Sequence, residues 1–547
     1  MLNTTAELQK RIILGGFIIL SLIHVVFVFV GFYNNDDIVY AKYAADVVHN
    51  GISFSPASNH YQLRWPVIYT AAFFYKLFGI NTFSSSLFSF ASIVLCGVLL
   101  KKITNACRPV IFLLSLVFFF FAHSIIFYMH RLLPDAAMCL AVFWMYSSYR
   151  WYYINQAKGL NYGVQFSLAF FLAVLTKETI IIALPLFALF FLRDVIKKQR
   201  LQFWLYAVST AFILIALYLL YFKITTGSFF YRYHILQSQN YFTACSFDKL
   251  PFIFTLRRIG YELWRNMLLN GDFLIFLPAV AAFVYRKKIA GYALTYKIDF
   301  YAFLILLLAA NFMTISFTTY LPLCRDTRHF LFLFPFAAII TGPMLFAYFK
   351  EPAKFFLLPV LMVCATIIMF YLQAGNTKYL YLIFSLLLTT RLFLQFFGKR
   401  KIADRVFIAA VIILFFLNYL TDFINPPFPW YWHHKKSIEK IISEKNIPAT
   451  VFTADKFTAQ MTEFVLQFKN DKIQVLTTDS VKTTNPGNLY FLSVGDSNPQ
   501  MQKKIDSLIN KRTDYNWVLI YKEQHVFLYK INDAQLQLLK QLSVSGR

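Results

Sequence analysis

Long apolar runs alternate with short polar loops along most of the chain. Taking runs of roughly 17 to 25 apolar residues as membrane spans, we predict about thirteen of them. They lie near residues 12–31, 83–100, 109–128, 134–149, 162–176, 179–192, 203–222, 273–285, 298–318, 328–349, 355–373, 378–397 and 406–424. This pattern predicts a polytopic α-helical membrane protein.

Basic clusters fall in alternate loops, such as residues 101–108, 286–288 and 399–401. Because lysine and arginine accumulate in cytoplasmic loops, we predict that these loops and the N-terminus are cytoplasmic. The opposite face then carries two long outer loops, residues 34–81 and 223–272, and the tail of the chain. We predict interfacial helices in both loops.

The pattern changes after a proline-rich and aromatic segment, residues 425–432. Segments with helical periodicity then alternate with β-rich segments, which predicts a small α/β domain on the outer face. The helical segments are 437–445 and 502–509, and the β-rich segments are 449–454, 489–494 and 517–521. We therefore divide the chain into a transmembrane domain, residues 1–425, and a C-terminal periplasmic domain, residues 426–547.

Composition agrees with a membrane protein. Hydrophobic residues make up 59% of the 547 residues and charged residues 14%, where soluble proteins carry about 25% charged residues. The net charge of +26 lies mostly in the interhelical clusters. We interpret it as a topology signal and as attraction to anionic membrane lipids, so nucleic acid is not a predicted partner.

Two of the six cysteines, Cys245 and Cys324, fall in predicted outer loops. A disulfide between them is one interpretation. Two separate thiols is the favoured one, because a sequence does not give the Cα separation that a bridge needs.

Two adjacent carboxylates, Asp36 and Asp37, follow the first span. Asn35 or Asp36 can cap a helix that runs to about His49 and ends at Gly51. The small apolar residues of this helix predict that it lies along the membrane. Capping does not explain a second acid, since neighbouring helical residues point about 100° apart.

Further ionisable side chains are embedded in apolar surroundings at the same outer face. Such residues are costly unless they are paired or line a wet site. They are Arg64, Arg131, Asp135, Lys177 and Glu178, with Tyr61 nearby. Structural roles remain open for some of them: Asp135 can cap a helix after Pro134, and Lys177 can pair with Glu178.

The order of these motifs resembles the GT-C glycosyltransferases over roughly residues 10–350. It combines Asp36-Asp37 after the first span, Arg64-Trp65-Pro66, Leu133-Pro134-Asp135 and Thr176-Lys177-Glu178. The closest likeness is to bacterial lipid A aminoarabinose transferases and protein O-mannosyltransferases, in the manner of glycosyltransferase family 39. This chain departs from them in having Asp37 where the family has glutamate, and Arg64-Trp65 where the aminoarabinose enzymes have Glu-Lys.

The resemblance implies a GT-C fold and an inverting sugar transfer from a polyprenyl-phosphate donor, without a nucleotide. The acceptor would be lipid A, another glycan or a protein. Asp36 would be the general base for an acceptor hydroxyl, with Asp37 as a supporting acid, and the assignment between the two acids stays open. For a phosphate acceptor no base is needed, and Asp36 would orient the nucleophile or balance the oxocarbenium charge. Lys177, Arg131 and Arg64 would stabilise the leaving phosphate, and Asp135, Glu178 and Tyr61 would support the site.

Other residues remain open in role. Arg325 and Arg328, before the tenth span, can bind the donor phosphate or anchor the chain at the outer leaflet. No cofactor is predicted to be required, although His234 and Glu262 are weak candidates for a divalent cation, without a ligand-spacing signature.

The alternative function is a polytopic transporter or lipid flippase of envelope glycolipids. Such a protein is expected to carry ionisable residues in mid-span and to show related halves. The gathering of acids and bases at one face, without an internal repeat, favours the enzyme. A relative of the enzyme that only binds the donor is a third interpretation.

Overall fold

The computed structural model describes residues 2–28, 32, 35–52, 59–104, 107–155, 159–238, 247–290, 297–315, 320–397, 400–424, 430–443, 448–453, 455–469, 472–478, 488–494, 503, 507, 518–523 and 526–544. Helices α1 to α10 are Leu2–Phe27, Asn35–Asn50, Trp65–Phe78, Thr82–Ile103, Pro109–Phe120, His123–Tyr128, Pro134–Asn155, Gly159–Thr176, Leu184–Ile196 and Leu201–Thr226. Helices α11 to α20 are Tyr231–Ser238, Phe252–Arg257, Leu263–Leu269, Phe273–Val284, Arg286–Ile289, Lys297–Phe312, Phe334–Lys350, Leu357–Tyr371, Thr377–Phe396 and Arg400–Ile424.

Eight helical segments in the described part of the chain are long and apolar enough to cross a membrane. Two of them join a 3-10 segment to a helix: Glu178–Ala183 leads into α9, and Thr327–Leu333 leads into α17. The apolar helices α5, α14 and α18 are shorter. The other two predicted spans coincide with α7 and α16. The prediction of a polytopic helical membrane protein is therefore confirmed.

The chain forms two compact units. Unit 1 comprises Met1–Val28, Phe54–Val67 and Ser86–Ile424, and unit 2 comprises Phe29–Ser53, Ile68–Ser85 and Asn425–Arg547. The predicted tail domain thus shares a compact unit with two segments of the first outer loop.

Helix α17 lies in the core of unit 1. All of its residues except Lys350 are buried, whereas only 22% of the apolar window of α10 is buried. The close approach of α17 to α5 depends on Gly342. A Cβ atom at Gly342 would lie 2.2 Å from Ser115 Oγ and 2.7 Å from the Ile111 carbonyl oxygen. Small residues allow such close backbone approach where helices meet in a membrane.

Three carboxylates are buried at helix ends on the predicted cytoplasmic side of unit 1. Each is paired with an arginine, which offsets the cost of removing the charges from water. The pairs are Asp194 with Arg200 at 3.0 Å, Asp299 with Arg150 at 2.7 Å, and Asp404 with Arg391 at 2.7 Å. These groups lie at the opposite ends of the spans from the candidate site.

Unit 2 contains a five-stranded sheet flanked by helices. Helices α21 to α23 are Trp430–Ser443, Lys456–Val465 and Asp533–Val544; strands β1 to β5 are Ala449–Thr453, Ile473–Thr477, Asn488–Val494, Val518–Glu523 and Val526–Ile531. The strand order is β2-β1-β3-β5-β4. Strand β1 pairs in parallel with β2 and β3, and β5 pairs antiparallel with β3 and β4.

The sheet confirms the predicted small α/β domain, with Phe452, Phe491 and Leu536 among its core residues. The predicted β-rich segments correspond to β1, β3 and β4, while β2 and β5 were not predicted. Most of the predicted helical segment 502–509 lies outside the described residues.

Helix α2 also belongs to unit 2, and its small apolar face differs from the prediction. Ala41, Ala44 and Ala45 are fully buried in the protein instead of lying against a membrane. Helix α22 is one partner of α2, since His49 Nε2 lies 3.0 Å from the carbonyl oxygen of Gln467, just beyond α22. Gly51, with φ at 80°, ends α2 as predicted.

We predict that Gly342→Ala lowers the stability of the bundle. The added methyl group would force α5 and α17 apart, at a cost of roughly 1–3 kcal/mol. The apparent melting temperature in detergent measures this effect. Gly16→Ala is the matched control, because a Cβ atom at Gly16 meets nothing within 4 Å. Equal melting temperatures for the two variants would contradict the role given to Gly342.

Candidate functional site

Lys177 is buried at the break between α8 and the 3-10 segment Glu178–Ala183, with 9% of its side chain exposed. Its Nζ lies 2.6 Å from Asp135 Oδ1 and 2.9 Å from His329 Nδ1. An ammonium group only donates hydrogen bonds, so Asp135 and His329 are its acceptors. Three separate stretches of chain in unit 1 therefore meet at one cation.

The two acceptors come from helix starts. Asp135 follows Pro134 in the first turn of α7, and His329 lies in the 3-10 segment Thr327–Leu333. His329 Nδ1 also lies 3.3 Å from Asp135 Oδ1, so the three side chains contact one another, and a neutral imidazole can accept from Lys177. Asp135 therefore supplies the negative charge that balances Lys177. The ion pair explains Asp135 better than helix capping alone.

The same 3-10 segment carries Arg328, whose Nε lies 3.3 Å from Asp326 Oδ2. Asp326 also accepts a hydrogen bond from the Tyr128 hydroxyl at 2.6 Å and one from the Arg328 backbone N–H at 3.2 Å. Asp326 thus caps this segment and fixes the guanidinium of Arg328 at the same time.

Glu178 bridges two arginines from different parts of the chain. Its Oε2 lies 3.3 Å from Arg64 Nη2, and its Oε1 lies 3.2 Å from Arg232 Nη2 on α11. Arg232 Nη1 also donates to the Tyr218 hydroxyl at 3.1 Å. The guanidinium of Arg64 lies 5.7 Å from the ring centre of Tyr61. The alternative of a Lys177–Glu178 pair gives way to these two separate partnerships.

These side chains form one electrostatic group, which we call the basic cluster. It contains the cations Arg64, Lys177, Arg232 and Arg328 and the carboxylates Asp135, Glu178 and Asp326. Burial lowers the pKa of Lys177, the charges of Arg328 and Arg64 act in the same direction, and Asp135 opposes them. The basic cluster therefore has one more cation than carboxylates. The charges of Arg328, Arg64 and Asp135 all act on Lys177.

The buried acid Asp272 is linked to the 3-10 segment Thr327–Leu333 through the hydroxyl group of Ser124. Asp272 accepts a hydrogen bond from the Ser124 hydroxyl at 2.7 Å, and this hydroxyl lies 3.1 Å from Thr327 Oγ1. Burial raises the pKa of Asp272 to about 7, although its hydrogen bonds with Ser124 lower it in part. This carboxyl group is therefore partly protonated near neutral pH.

Two predicted phosphate-binding arginines have other described contacts. The guanidinium of Arg131 lies 4.6 Å from the ring centre of Phe127, and its backbone carbonyl accepts from the Ser89 hydroxyl. Arg325 Nη1 lies 3.4 Å from Glu262 Oε2, and 53% of its side chain is exposed. Arg325 is therefore a surface residue and not a buried member of the site. Exposed pairs of this kind contribute about 0–1 kcal/mol to stability.

The weak candidates for a divalent cation lie in the second outer loop. His234 is exposed on α11, and Glu262 pairs with Arg325. Among the residues that the structure describes, no group of three or more histidines, cysteines, aspartates or glutamates can hold a metal ion. We make no proposal for a metal.

The segment before Thr327–Leu333, which was predicted to be an outer loop, contains a disulfide-bonded cysteine, Cys324. The preference for separate thiols was therefore wrong for Cys324. Cys245 lies outside the described residues.

The acidic pair lies in unit 2 at the start of α2. Asp37 is fully buried, and its Oδ1 accepts the backbone N–H of Ile38 at 3.0 Å. Tyr75 lies near enough for the charge of Asp37 to raise the pKa of its phenol, an effect added to that of burial. The Tyr75 hydroxyl is 2.7 Å from Ser85 Oγ. Asp36 is only partly buried, so the two acids have different environments.

Several members of the site were not assigned a role from sequence. Asp326 and His329 lie in the same predicted basic segment as Arg325 and Arg328 but were given no role there. Tyr128 and Tyr218 carry no motif, and Arg232 was one of many polar residues in its loop. The short distance from Arg328 to Asp326 along the chain is the one signal that was available. The others depend on contacts between residues far apart in sequence.

Together, the fold and the basic cluster define a multi-pass membrane protein with a buried group of paired cations and carboxylates at one end of its helical bundle. No protein-family model and no curated protein sequence matches the chain. Among solved structures, the chain is similar to ArnT from Cupriavidus metallidurans, described as bound to undecaprenyl phosphate, with a TM-score of 0.57 and 11% identity. The match covers 95% of this chain and 98% of ArnT.

The apo structure of ArnT gives a TM-score of 0.56 and 13% identity over the same shares of the two chains. ArnT is a lipid A aminoarabinose transferase of the GT-C class. The GT-C resemblance that the sequence predicted is therefore confirmed at the level of the fold, across almost the whole chain.

We predict that Asp135 and Lys177 stabilise unit 1 as a pair. Asp135→Asn and Lys177→Met should each be strongly destabilising, by about 3–5 kcal/mol, because each leaves one charge buried without its partner. The double variant should lose less than the sum of the two, with a coupling energy of roughly 0.5–3 kcal/mol. Thermal unfolding of the four proteins in detergent measures the coupling, and additive losses would contradict a direct pair.

Proposed function

We propose that this protein is an integral-membrane glycosyltransferase that moves a sugar, with inversion, from a polyprenyl-phosphate donor to an acceptor at the periplasmic face of a bacterial inner membrane. The basic cluster is the observation that carries this proposal. It provides buried cations at the end of the bundle where a lipid-linked anion can reach them. The binding of undecaprenyl phosphate to ArnT, which has the same fold, supports this class of donor.

The charge of the basic cluster suits the leaving group of such a reaction. A sugar linked to polyprenyl phosphate is a phosphodiester with one negative charge. When the bond between the anomeric carbon and the phosphate oxygen breaks, the lipid becomes a phosphomonoester whose charge at neutral pH is about −1.5 to −2. Cations fixed beforehand in a poorly solvated site stabilise charge that develops in the transition state.

We assign the phosphate to the cations of the basic cluster, Lys177, Arg64, Arg232 and Arg328. Lys177 is central because the electrostatic effects of Arg64 and Arg328 reach it. Asp135 and His329 hold its ammonium group in place and leave one donor hydrogen for a ligand, since an ammonium has three. Asp135, Glu178 and Tyr61 are positioning residues, and Arg131 is a secondary candidate.

We assign the general base to Asp36 and a positioning role to Asp37. The acceptor hydroxyl oxygen forms the new bond to the anomeric carbon while its proton passes to the Asp36 carboxylate. The partial exposure of Asp36 supports this assignment, because a base must reach its substrate. Asp37 is fully buried beside Tyr75 and is suited to fixing the start of α2.

The orientation in the membrane is part of the proposal. Disulfides persist in oxidising compartments such as the periplasm, so the disulfide at Cys324 supports a periplasmic position for its loop. The loop charges likewise support a periplasmic position for the C-terminal domain. The sugar and the acceptor are to be identified by mass spectrometry of envelope lipids and glycoproteins from a strain lacking the gene.

We predict that Asp36→Asn abolishes transfer while donor binding is kept. Loss of a general base lowers turnover by about 10²–10⁴-fold. The measurement is recovery of the missing envelope product when the deletion strain is supplied with the wild-type protein, Asp36→Asn or Asp37→Asn. Asp37→Asn should lower the melting temperature, because its carboxylate is buried. Full recovery of the product with Asp36→Asn would overturn the assignment of the base.

We predict that an alkaline phosphatase reporter fused after Trp432 is active, because this enzyme folds only outside the cytoplasm. The matched control is the same reporter after Lys288, in a loop predicted to be cytoplasmic, which should be inactive. Activity in the reverse pattern would reverse the side assigned to every loop.

A further inference from the structure

Glu178 occupies the position between two arginines that a phosphate group would suit. Each carboxylate oxygen contacts a different guanidinium, at 3.3 Å for Arg64 and 3.2 Å for Arg232. The side chains of both arginines are nearly buried, at 5% and 12% exposure, while that of Glu178 is 26% exposed. Planar guanidinium groups bind carboxylates and phosphates with the same donor geometry. An anion that enters from outside therefore competes with Glu178 for the same donors.

Competition for Arg232 also affects helix α11, because Arg232 belongs to this helix. No residue of helix α11 is fully enclosed, and Tyr231 and Ile235 pack, partly buried, against Tyr218 and Phe222 of α10. It follows Gly227, which ends α10 with φ at 77°. Arg232 connects α11 to the bundle through Glu178 and Tyr218. An anion that takes Arg232 from Glu178 therefore also changes the main polar attachment described for α11.

The surroundings of Arg232 indicate which kind of anion can arrive. A cavity of about 200 Å³ lies beside Arg232, between α10 and α11. Its walls are mostly aromatic and aliphatic, with Phe222, Phe229, Phe230 and Leu236 among them. A cation at the edge of an apolar cavity suits an amphiphile, in which a charged head group is joined to a hydrocarbon chain. A lipid phosphate meets both requirements, and a free inorganic anion meets one.

We propose that Glu178 is a built-in competitor for the phosphate of the lipid donor. In the free protein its carboxylate holds Arg64 and Arg232 together, and the incoming lipid phosphate displaces it from both arginines. When the product lipid phosphate leaves, the carboxylate returns and neutralises the arginines again. Glu178 thus weakens binding of the lipid phosphate and promotes its release. This inference rests on the proposed function, because it requires a lipid-phosphate ligand.

The test is equilibrium binding of undecaprenyl phosphate to the full-length protein in detergent, with wild type and Glu178→Gln compared. The amide keeps the length of the side chain and removes its charge. We expect Glu178→Gln to bind undecaprenyl phosphate about tenfold more tightly, which corresponds to about 1.4 kcal/mol. Undecaprenol, which has the same chain without the phosphate, should bind both proteins equally. Inorganic phosphate should compete only weakly.

A matched control comes from the same outer loop. Glu262→Gln removes one negative charge from an ion pair with the exposed Arg325, and it should leave the affinity for undecaprenyl phosphate unchanged. Glu178→Asp is the second variant, because its shorter side chain keeps the charge but does not span both arginines. It should bind more tightly than wild type and less tightly than Glu178→Gln, and it keeps the test available if the glutamine variant does not fold.

The outcomes separate this inference from the proposed function. If wild type binds undecaprenyl phosphate no better than undecaprenol, the proposed function and the inference both fail. If wild type prefers the phosphate but Glu178→Gln binds it equally or more weakly, Glu178 only supports the arginines and the inference alone fails. Equal tightening by Glu262→Gln would also overturn it, since the effect would then be general charge attraction.

Discussion

A buried ammonium group needs partners, and the pairing of Lys177 with Asp135 and His329 is the interaction on which the candidate site depends. Removing an unpaired charge from water costs several kcal/mol, so Lys177 remains buried only where its partners are fixed. Asp135 opens α7, and His329 lies in the 3-10 segment that opens the span containing α17. The contacts of Lys177 therefore connect the end of α8 to the start of α7 and to the start of the span that contains α17.

The rest of the basic cluster follows from this arrangement. The segment that supplies His329 also supplies Arg328, and Asp326 holds both the segment and the guanidinium. On the other side of Lys177, Glu178 gathers Arg64 and Arg232 from distant parts of the chain. Lys177 and Glu178, which are adjacent at the end of α8, thus have separate groups of partners. Without a ligand, the basic cluster has one more cation than carboxylates, so its charges are close to balance. An anion that enters compensates the remaining positive charge.

The acidic pair shows how burial separates two chemically identical residues. Asp36 and Asp37 differ by one position, yet one is accessible and the other is enclosed with Tyr75 in unit 2. An enclosed carboxylate suits a structural role, and an accessible one suits proton transfer. Packing in unit 2 also buries the alanine face of α2 that the sequence assigned to the membrane.

The sequence alone determined the helical membrane architecture and the α/β tail, and it singled out most of the charged residues of the basic cluster. These features are local: apolar runs, loop charges and alternation repeat over short distances. Only the tertiary structure decided which charges are partners, because Lys177 and His329 are far apart in sequence, as are Glu178 and Arg64. It excluded the alternative of a Lys177–Glu178 pair in favour of two separate partnerships, and it added residues such as Tyr218 that carry no sequence signal. A buried charge is stabilised by whatever lies beside it in space, and that neighbour is set by the packing of the helices.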